Sequence, residues 1–131
     1  MNVVYNDGGR SKYFKGMAGD CVTRAIAIAS GRDYKEVYDE LAKIGKCSPR
    51  NGVMPNVYKK YLAKHGYKWV CLATFGKGVT NHLKDGEIPM QGSIICNCSR
   101  HLVAVVDGVV NDTHDPTRNG TRAVYGYWIK N

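Results

Sequence analysis

The apolar residues of this chain change their spacing once, near Gly66, and this change constrains the fold more than any other feature. Before Gly66 they recur at helical spacing, as in Val22, Ala25, Ile26 and Ala29. After it, runs of β-branched and aromatic residues are separated by turn residues. Helices followed by strands are typical of an α+β fold. The sequence therefore predicts N-terminal helices packed on a C-terminal antiparallel β-sheet.

Three helices are predicted, and each has local start and stop signals. Asp20 is a suitable N-cap residue for the first. Asp33 and Glu36 have capping-box spacing at the start of the second, and Pro55 suits the first turn of the third. The predicted limits are Asp20 to Ser30-Gly31, Asp33 to Gly45, and Met54-Pro55 to Gly66.

Strands dominate the second half, where Asp107-Gly108 between two valine runs is a strong hairpin signal. Residues placed symmetrically about this turn face each other, so His101 should oppose His114 and lie diagonally from Asp112 on one face. The predicted strands are Tyr67–Leu72, Ser93–Cys98, His101–Val106, Val109–Thr113 and Arg122–Ile129, with a short strand within Met1–Lys15 and one helical turn at Thr80–Lys84.

Size and composition predict one domain that spans residues 1–131, because 131 residues with 44% apolar content suit a single core. The net charge of +8 favours acidic partners, but the charge is dispersed, so a peptide or protein substrate is favoured over nucleic acid.

No apolar run approaches the ~18 residues that cross a bilayer, and no membrane partner is expected. Five cysteines without a signal-like N-terminus indicate a reducing, cytoplasmic setting. Nothing in the sequence indicates the oligomeric state.

Cys21 opens the first predicted helix and is the candidate nucleophile. A helix N-terminus carries partial positive charge and unpaired N–H groups, which stabilise a thiolate. His101 begins a strand at the edge of the predicted sheet, where a base can reach a cleft. Asp112 is favoured as the group that orients this base, and Asp115 is the alternative if a bulge ends the hairpin. The alternative interpretation is a buried structural cysteine beside turn-forming aspartates.

A metal site is a competing interpretation of the cysteines and histidines. Cys96, Cys98, His101 and His114 are residue types that zinc prefers. The Cys-x-Cys spacing is unlike the usual Cys-x2-Cys turn, so Cys96 and Cys98 are interpreted as strand core residues. No metal and no cofactor are expected.

The order of Asp20-Cys21, His101 and Asp115-Pro116-Thr117 resembles the papain-like cysteine peptidase superfamily, in particular its C39-like branch of small bacterial peptidases. Short phage-encoded proteins of this type are similar in carrying a Gly-Asp-Cys-Val-Thr-Arg-Ala opening, as at residues 19–25. The resemblance implies a papain-like fold in which Cys21 attacks a carbonyl and His101 shuttles the proton.

The chain departs from the papain-like pattern in one respect. Such enzymes usually have a glutamine about six residues before the cysteine as an oxyanion donor, whereas this position is Lys15 here. Lys15, Asn6 or another N–H donor would have to fill the role. We therefore expect a thiol hydrolase that cleaves an amide bond through an acyl-enzyme intermediate. The alternative is a weakly active or inactive papain-fold binding module that captures an acidic host protein or nucleic acid. A phage-encoded module of this kind would act in the host cytoplasm.

Overall fold

A computed structural model describes residues 1–16, 18–73, 76 and 80–130. The described residues form an α+β structure with three α-helices, six β-strands and two short 3-10 turns, Arg10–Lys12 and Pro49–Asn51. The helices are α1 (Cys21–Ser30), α2 (Tyr34–Gly45) and α3 (Pro55–Lys64). The strands are β1 (Val3–Tyr5), β2 (Tyr67–Cys71), β3 (Ser93–Cys98), β4 (His101–Val106), β5 (Val109–Asp112) and β6 (Gly126–Lys130).

The six strands form one sheet in the order β1-β5-β4-β3-β6-β2. All neighbours are antiparallel except β1, which pairs in parallel with β5. The prediction of an antiparallel C-terminal sheet is thus wrong in one respect, since the N-terminal strand makes the sheet mixed. The N-terminal segment reaches β5 because the Val110 N–H bonds to the Asn2 carbonyl at 2.9 Å and Val3 stands opposite Val110.

The helix limits follow the local signals in the sequence. The Asp33 carboxylate accepts a hydrogen bond from the Glu36 N–H at 3.3 Å, and Pro55 occupies the first turn of α3. Helix α2 includes Gly45 and ends at Lys46, which takes the left-handed conformation at φ 55°. The two helix starts are therefore dictated by side chains next to them in the sequence.

Apolar residues are buried on both faces of the sheet. One face packs against the helices, with Ile26, Leu41, Leu62 and Trp128 in its core. A second core on the opposite face includes Leu83. Helix α1 packs against β4, and its small residue Ala25 is almost fully buried there. This packing brings the N-terminus of α1 to the first residue of β4.

The β4–β5 hairpin turns at Asp107-Gly108, as predicted, with both residues at positive φ. Its register pairs Val106 with Val109 and Ala104 with Asn111, so the predicted symmetry about the turn is confirmed.

Two weaker predictions are wrong. Thr80–Lys84 contains no helical turn, because the chain pairs with a distant segment: His82 forms a single β-bridge with Ala123, and the Leu83 N–H bonds to the Arg122 carbonyl at 2.8 Å. The last strand begins at Gly126 rather than at Arg122. Among the described residues, no helix has the length and apolar character needed to cross a membrane.

Candidate active site

Cys21 is the first residue of α1 and is partly exposed at the mouth of a cleft. Asp20 occupies the N-cap position, but its side chain does not bond to the helix N–H groups. Its carboxylate is held instead by Arg10, Arg24 and Tyr34, all of them buried. The prediction of Asp20 as the N-cap residue is confirmed by its position, but its side chain does not cap the helix, because charged partners compete for the carboxylate. The N-terminus of α1, which begins at Cys21, is thus left uncapped by the Asp20 side chain.

His101 and Asp112 form the second part of the site. His101 Nε2 lies 2.6 Å from Asp112 Oδ2, so Nδ1 is the ring nitrogen left for the Cys21 thiol. The other oxygen of Asp112 accepts hydrogen bonds from the Thr113 N–H at 2.7 Å and from Arg24 Nη2 at 3.3 Å. Both carboxylate oxygens are engaged, which fixes the orientation of the imidazole.

The pKa values show how strongly these groups are coupled. Burial alone would raise the pKa of Cys21. The pKa is nevertheless lowered, because interactions that stabilise the thiolate outweigh burial: hydrogen bonds from His101 and the Leu102 N–H, and the positive charges of His101 and Arg24. Burial opposes protonation of His101, yet its bonds to Asp112 and Cys21 raise its pKa from 6.5 to about 9. Both shifts favour the thiolate–imidazolium pair over the neutral thiol and imidazole.

Asp112 itself is buried but remains an anion. Burial raises the pKa of Asp112, and the hydrogen bond and charge of His101 and the Thr113 N–H lower it further than burial raises it. A carboxylate in this state can keep His101 in its charged form and correctly oriented.

A series of buried ion pairs is connected to the site through Asp112. Arg24 Nη1 pairs with Asp20, and its Nη2 pairs with Asp112, so one guanidinium links the start of α1 to the end of β5. Arg10 Nη1 pairs with the other oxygen of Asp20 at 3.4 Å. Sequence reasoning missed these residues. The available signal was Arg24 within the apolar run 22–29, four residues after Asp20, since a charge on a buried helix face needs a partner.

Asp115, the alternative to Asp112, lies outside this chain of contacts. Its carboxylate is exposed and accepts hydrogen bonds from the N–H of Thr117 at 2.8 Å and from the hydroxyl of the same residue at 2.6 Å. These bonds lower the pKa of Asp115 and form a local turn. His114 does approach the site, because its ring centroid lies 5.3 Å from that of His101, as the hairpin symmetry predicts.

Cys21 and His101 line a cleft of about 750 Å³. One part of the lining is apolar and includes Val53, Pro55 and Tyr58. Asn51 and Gly52 also border the cleft. The cleft is large enough for a segment of peptide.

The two oxyanion donors considered from the sequence lie elsewhere. The Asn6 side-chain amide donates to Asn111 Oδ1 at 3.1 Å. Lys15 lines a separate cavity next to Arg10 and Asp20, which adjoins the cleft at Ala18. The segment before α1 thus supplies neither side chain to the cleft. The backbone N–H of Cys21, at the start of α1 on the cleft lining, is the donor considered instead.

The zinc interpretation of the cysteines does not fit the structure. Cys96 and Cys98 are buried strand residues; burial raises the pKa of Cys96 strongly and that of Cys98 to about 11. Among the described residues, His101, Asp112 and His114 bring three possible ligand atoms within 4.8 Å of one another. A metal on this set would replace the proton between His101 and Asp112. The 2.6 Å separation of those two residues fits a hydrogen bond better than two ligands of one ion.

The structure thus places Cys21 and His101 on the lining of one cleft, with His101 hydrogen-bonded to Asp112. No protein-family model, no curated protein and no solved structure matches the chain. The interactions of these three side chains are therefore the basis for assigning chemistry to the cleft.

Proposed function

We propose that the protein is a thiol hydrolase that cleaves an amide bond through an acyl-enzyme intermediate, with Cys21, His101 and Asp112 as its catalytic triad. The observation that carries this proposal is the position of Cys21 and His101 on the lining of one cleft, with the His101 imidazole hydrogen-bonded to the buried Asp112 carboxylate and the pKa of the Cys21 thiol lowered beside it. A structural cysteine does not need such partners. The same arrangement lowers the pKa of a thiol and supplies a proton to a leaving group.

Each side chain has a defined part in the reaction. The Cys21 thiolate attacks the carbonyl carbon, and a C–S bond forms as the carbonyl oxygen takes the negative charge. The His101 imidazolium gives its Nδ1 proton to the amine, so the C–N bond breaks and the amine leaves. Neutral His101 then takes a proton from water, which attacks the thioester. Breaking of the C–S bond releases the acid and restores the ion pair, while Asp112 holds the ring in place throughout.

The oxyanion is assigned to the N-terminus of α1. The N–H of Cys21 lies at the helix end that the Asp20 side chain leaves uncapped, and Cys21 borders the cleft. Loss of one such donor costs on the order of 100-fold to 1000-fold in rate in other enzymes. A papain-like architecture is part of this proposal, supported by the order of Cys21 and His101 along the chain and by the α+β fold.

A second candidate is a binding module that uses the same scaffold without chemistry. The observation that favours it is the position of Lys15 and Asn6 outside the cleft, because neither of these two candidate oxyanion donors then belongs to the cleft lining. Such a module would bind an acidic protein through the +8 charge of the chain. Its binding would survive Cys21→Ala and weaken steeply with salt.

Thiol labelling as a function of pH tests the proposed function. Iodoacetamide should label Cys21 well below the ordinary thiol pKa of ~8.5. The exposed Cys47 and Cys71 serve as internal references, and the buried Cys96 and Cys98 should react last. Mass spectrometry of peptides from the intact folded protein gives each rate. Equal and slow labelling of Cys21 and the two references would contradict the proposal.

Activity is tested with a library of peptide amides and the purified protein. Cys21→Ala should abolish hydrolysis while the fold is retained, whereas Cys47→Ala should leave hydrolysis unchanged because this exposed thiol lies outside the cleft lining. Full activity in a folded Cys21→Ala variant would remove the nucleophile from the proposal.

A further inference from the structure

Arg100 lies at the tip of the β3–β4 hairpin, one residue before His101. Its backbone adopts the left-handed conformation at φ 55°. Turn positions of this kind favour glycine or asparagine, and a residue with a longer side chain costs about 1 kcal/mol or more there. An arginine is therefore an unfavourable choice for the turn itself.

The Arg100 side chain is exposed and lines the cleft that contains Cys21. Within the residues the structure describes, its guanidinium has no carboxylate partner, whereas the nearby Arg24 is paired with Asp20 and Asp112. Arg122 likewise donates to the Ser99 carbonyl at 2.7 Å. Arg100 thus differs from both neighbours, since its guanidinium makes no hydrogen bond or ion pair to any of the described residues.

The cleft has a positive electrostatic character. Arg100, His101 and His114 line it, and no aspartate or glutamate among the described residues is part of the lining. The nearest carboxylate, Asp112, is buried and already neutralised by Arg24 and His101. An anionic group that enters the cleft therefore meets donors without meeting a competing carboxylate.

We propose that Arg100 is a specificity-determining residue that binds a carboxylate of the substrate, so that the cleft takes acidic peptides. The apolar wall at Val53, Pro55 and Tyr58 then receives an adjacent apolar side chain. Arginine binds carboxylates through charge-assisted and often bidentate hydrogen bonds. This proposal rests on the proposed function of Cys21 as the reactive thiol. The carboxylate belongs either to an acidic side chain or to a peptide C-terminus.

Three affinity labels distinguish these sources. They are bromoacetyl-aspartyl-alanine amide, the asparaginyl isostere as an amide, and the asparaginyl peptide as a free acid. In each case the Cys21 thiolate attacks the methylene carbon, a C–S bond forms and bromide leaves. The aspartyl label should alkylate Cys21 about 10-fold faster than its neutral isostere, as a charged hydrogen bond of ~1.5 kcal/mol implies. A preference for the free acid instead would assign Arg100 to a peptide C-terminus.

In Arg100→Gln, the ratio of the alkylation rates of the aspartyl and asparaginyl labels should fall to near the value expected from His101 alone. Arg118→Gln is the matched control, because Arg118 is exposed, has φ 51° and carries the same charge, yet is not part of the cleft lining. An unchanged preference in Arg100→Gln, or an equal loss in both variants, would overturn the proposal.

A binding measurement separates this proposal from the catalytic one. The non-reactive acetyl-aspartyl-alanine amide is titrated into the folded Cys21→Ala variant and into its Arg100→Gln derivative, with NMR shifts as the readout. Weaker binding in the derivative supports the carboxylate site even if Cys21 proves unreactive. Binding that Arg100→Gln does not change refutes the site even if Cys21 proves reactive.

Discussion

Substitution of Asp112 by asparagine should lower the pKa of His101 while the fold is retained. The asparagine Oδ1 can still accept the hydrogen bonds that Asp112 Oδ1 receives from Arg24 and the Thr113 N–H. The change is then confined to the side that faces His101 Nε2, where an NH₂ group replaces a carboxylate oxygen. An NH₂ donor requires Nε2 to be an acceptor, so the substitution favours the neutral imidazole.

The size of the effect follows from the contacts of His101. Its pKa of about 9 exceeds the ordinary 6.5 although burial acts in the opposite direction, and the bond to Asp112 is the main cause of the increase. A hydrogen bond to a charged group contributes ~1.5–3 kcal/mol, and each pH unit corresponds to ~1.4 kcal/mol. We therefore expect the pKa of His101 to fall by about one to two pH units in Asp112→Asn. The pKa of Cys21 should rise in parallel, because its imidazolium partner is less populated.

The assay is an NMR titration of the histidine Cε1–H resonances, with His101 assigned through a His101→Asn variant. Asp115→Asn is the control, since that carboxylate bonds to Thr117 and not to His101. A wild-type pKa near 6.5 would refute the coupling of His101 to Asp112. Equal pKa values of His101 in the wild type and in a folded Asp112→Asn variant would refute it as well. A larger decrease of this pKa in Asp115→Asn would assign the orienting role to Asp115.

Two further predictions concern stability. Arg24→Met should lower the free energy of unfolding in urea by about 3–5 kcal/mol, because two buried carboxylates lose a partner. Arg32→Met is the control, since it removes partly exposed ion pairs that contribute about 1 kcal/mol or less. Equal losses in the two variants would contradict a stabilising role for the buried charges. Gly126→Ala should lower stability by about 1–3 kcal/mol in thermal unfolding, because a Cβ at this position would overlap the Trp69 ring and lie 2.5 Å from the Val70 carbonyl oxygen; an unchanged melting temperature would contradict this steric conflict. Gly45→Ala is the control, since its nearest contacts are at 3.5 Å and alanine is the better helix former.

Most local elements could be predicted because their signals lie within a few residues of one another. The Asp33 cap, Pro55 and the Asp107-Gly108 turn each act on backbone groups close to them in the sequence. The hairpin prediction also placed His101 near Asp112 and His114, because the register of two strands follows from the turn. The segment 80–84 was mispredicted because it pairs with the distant residues Arg122 and Ala123. Asp20 takes the predicted N-cap position, but its carboxylate bonds to Arg10, Arg24 and Tyr34.

The sequence by itself determined the helices, the β4–β5 hairpin and the candidate residues Cys21, His101 and Asp112. Only the tertiary structure decided that the thiol meets the imidazole, because burial of α1 against β4 brings the helix end to the start of that strand. It also decided that Asp112, rather than Asp115, bonds to His101. Hydrogen bonds within turns and caps depend on neighbouring residues. Contacts between buried charges and packed apolar faces depend on the whole chain, and no local spacing encodes them.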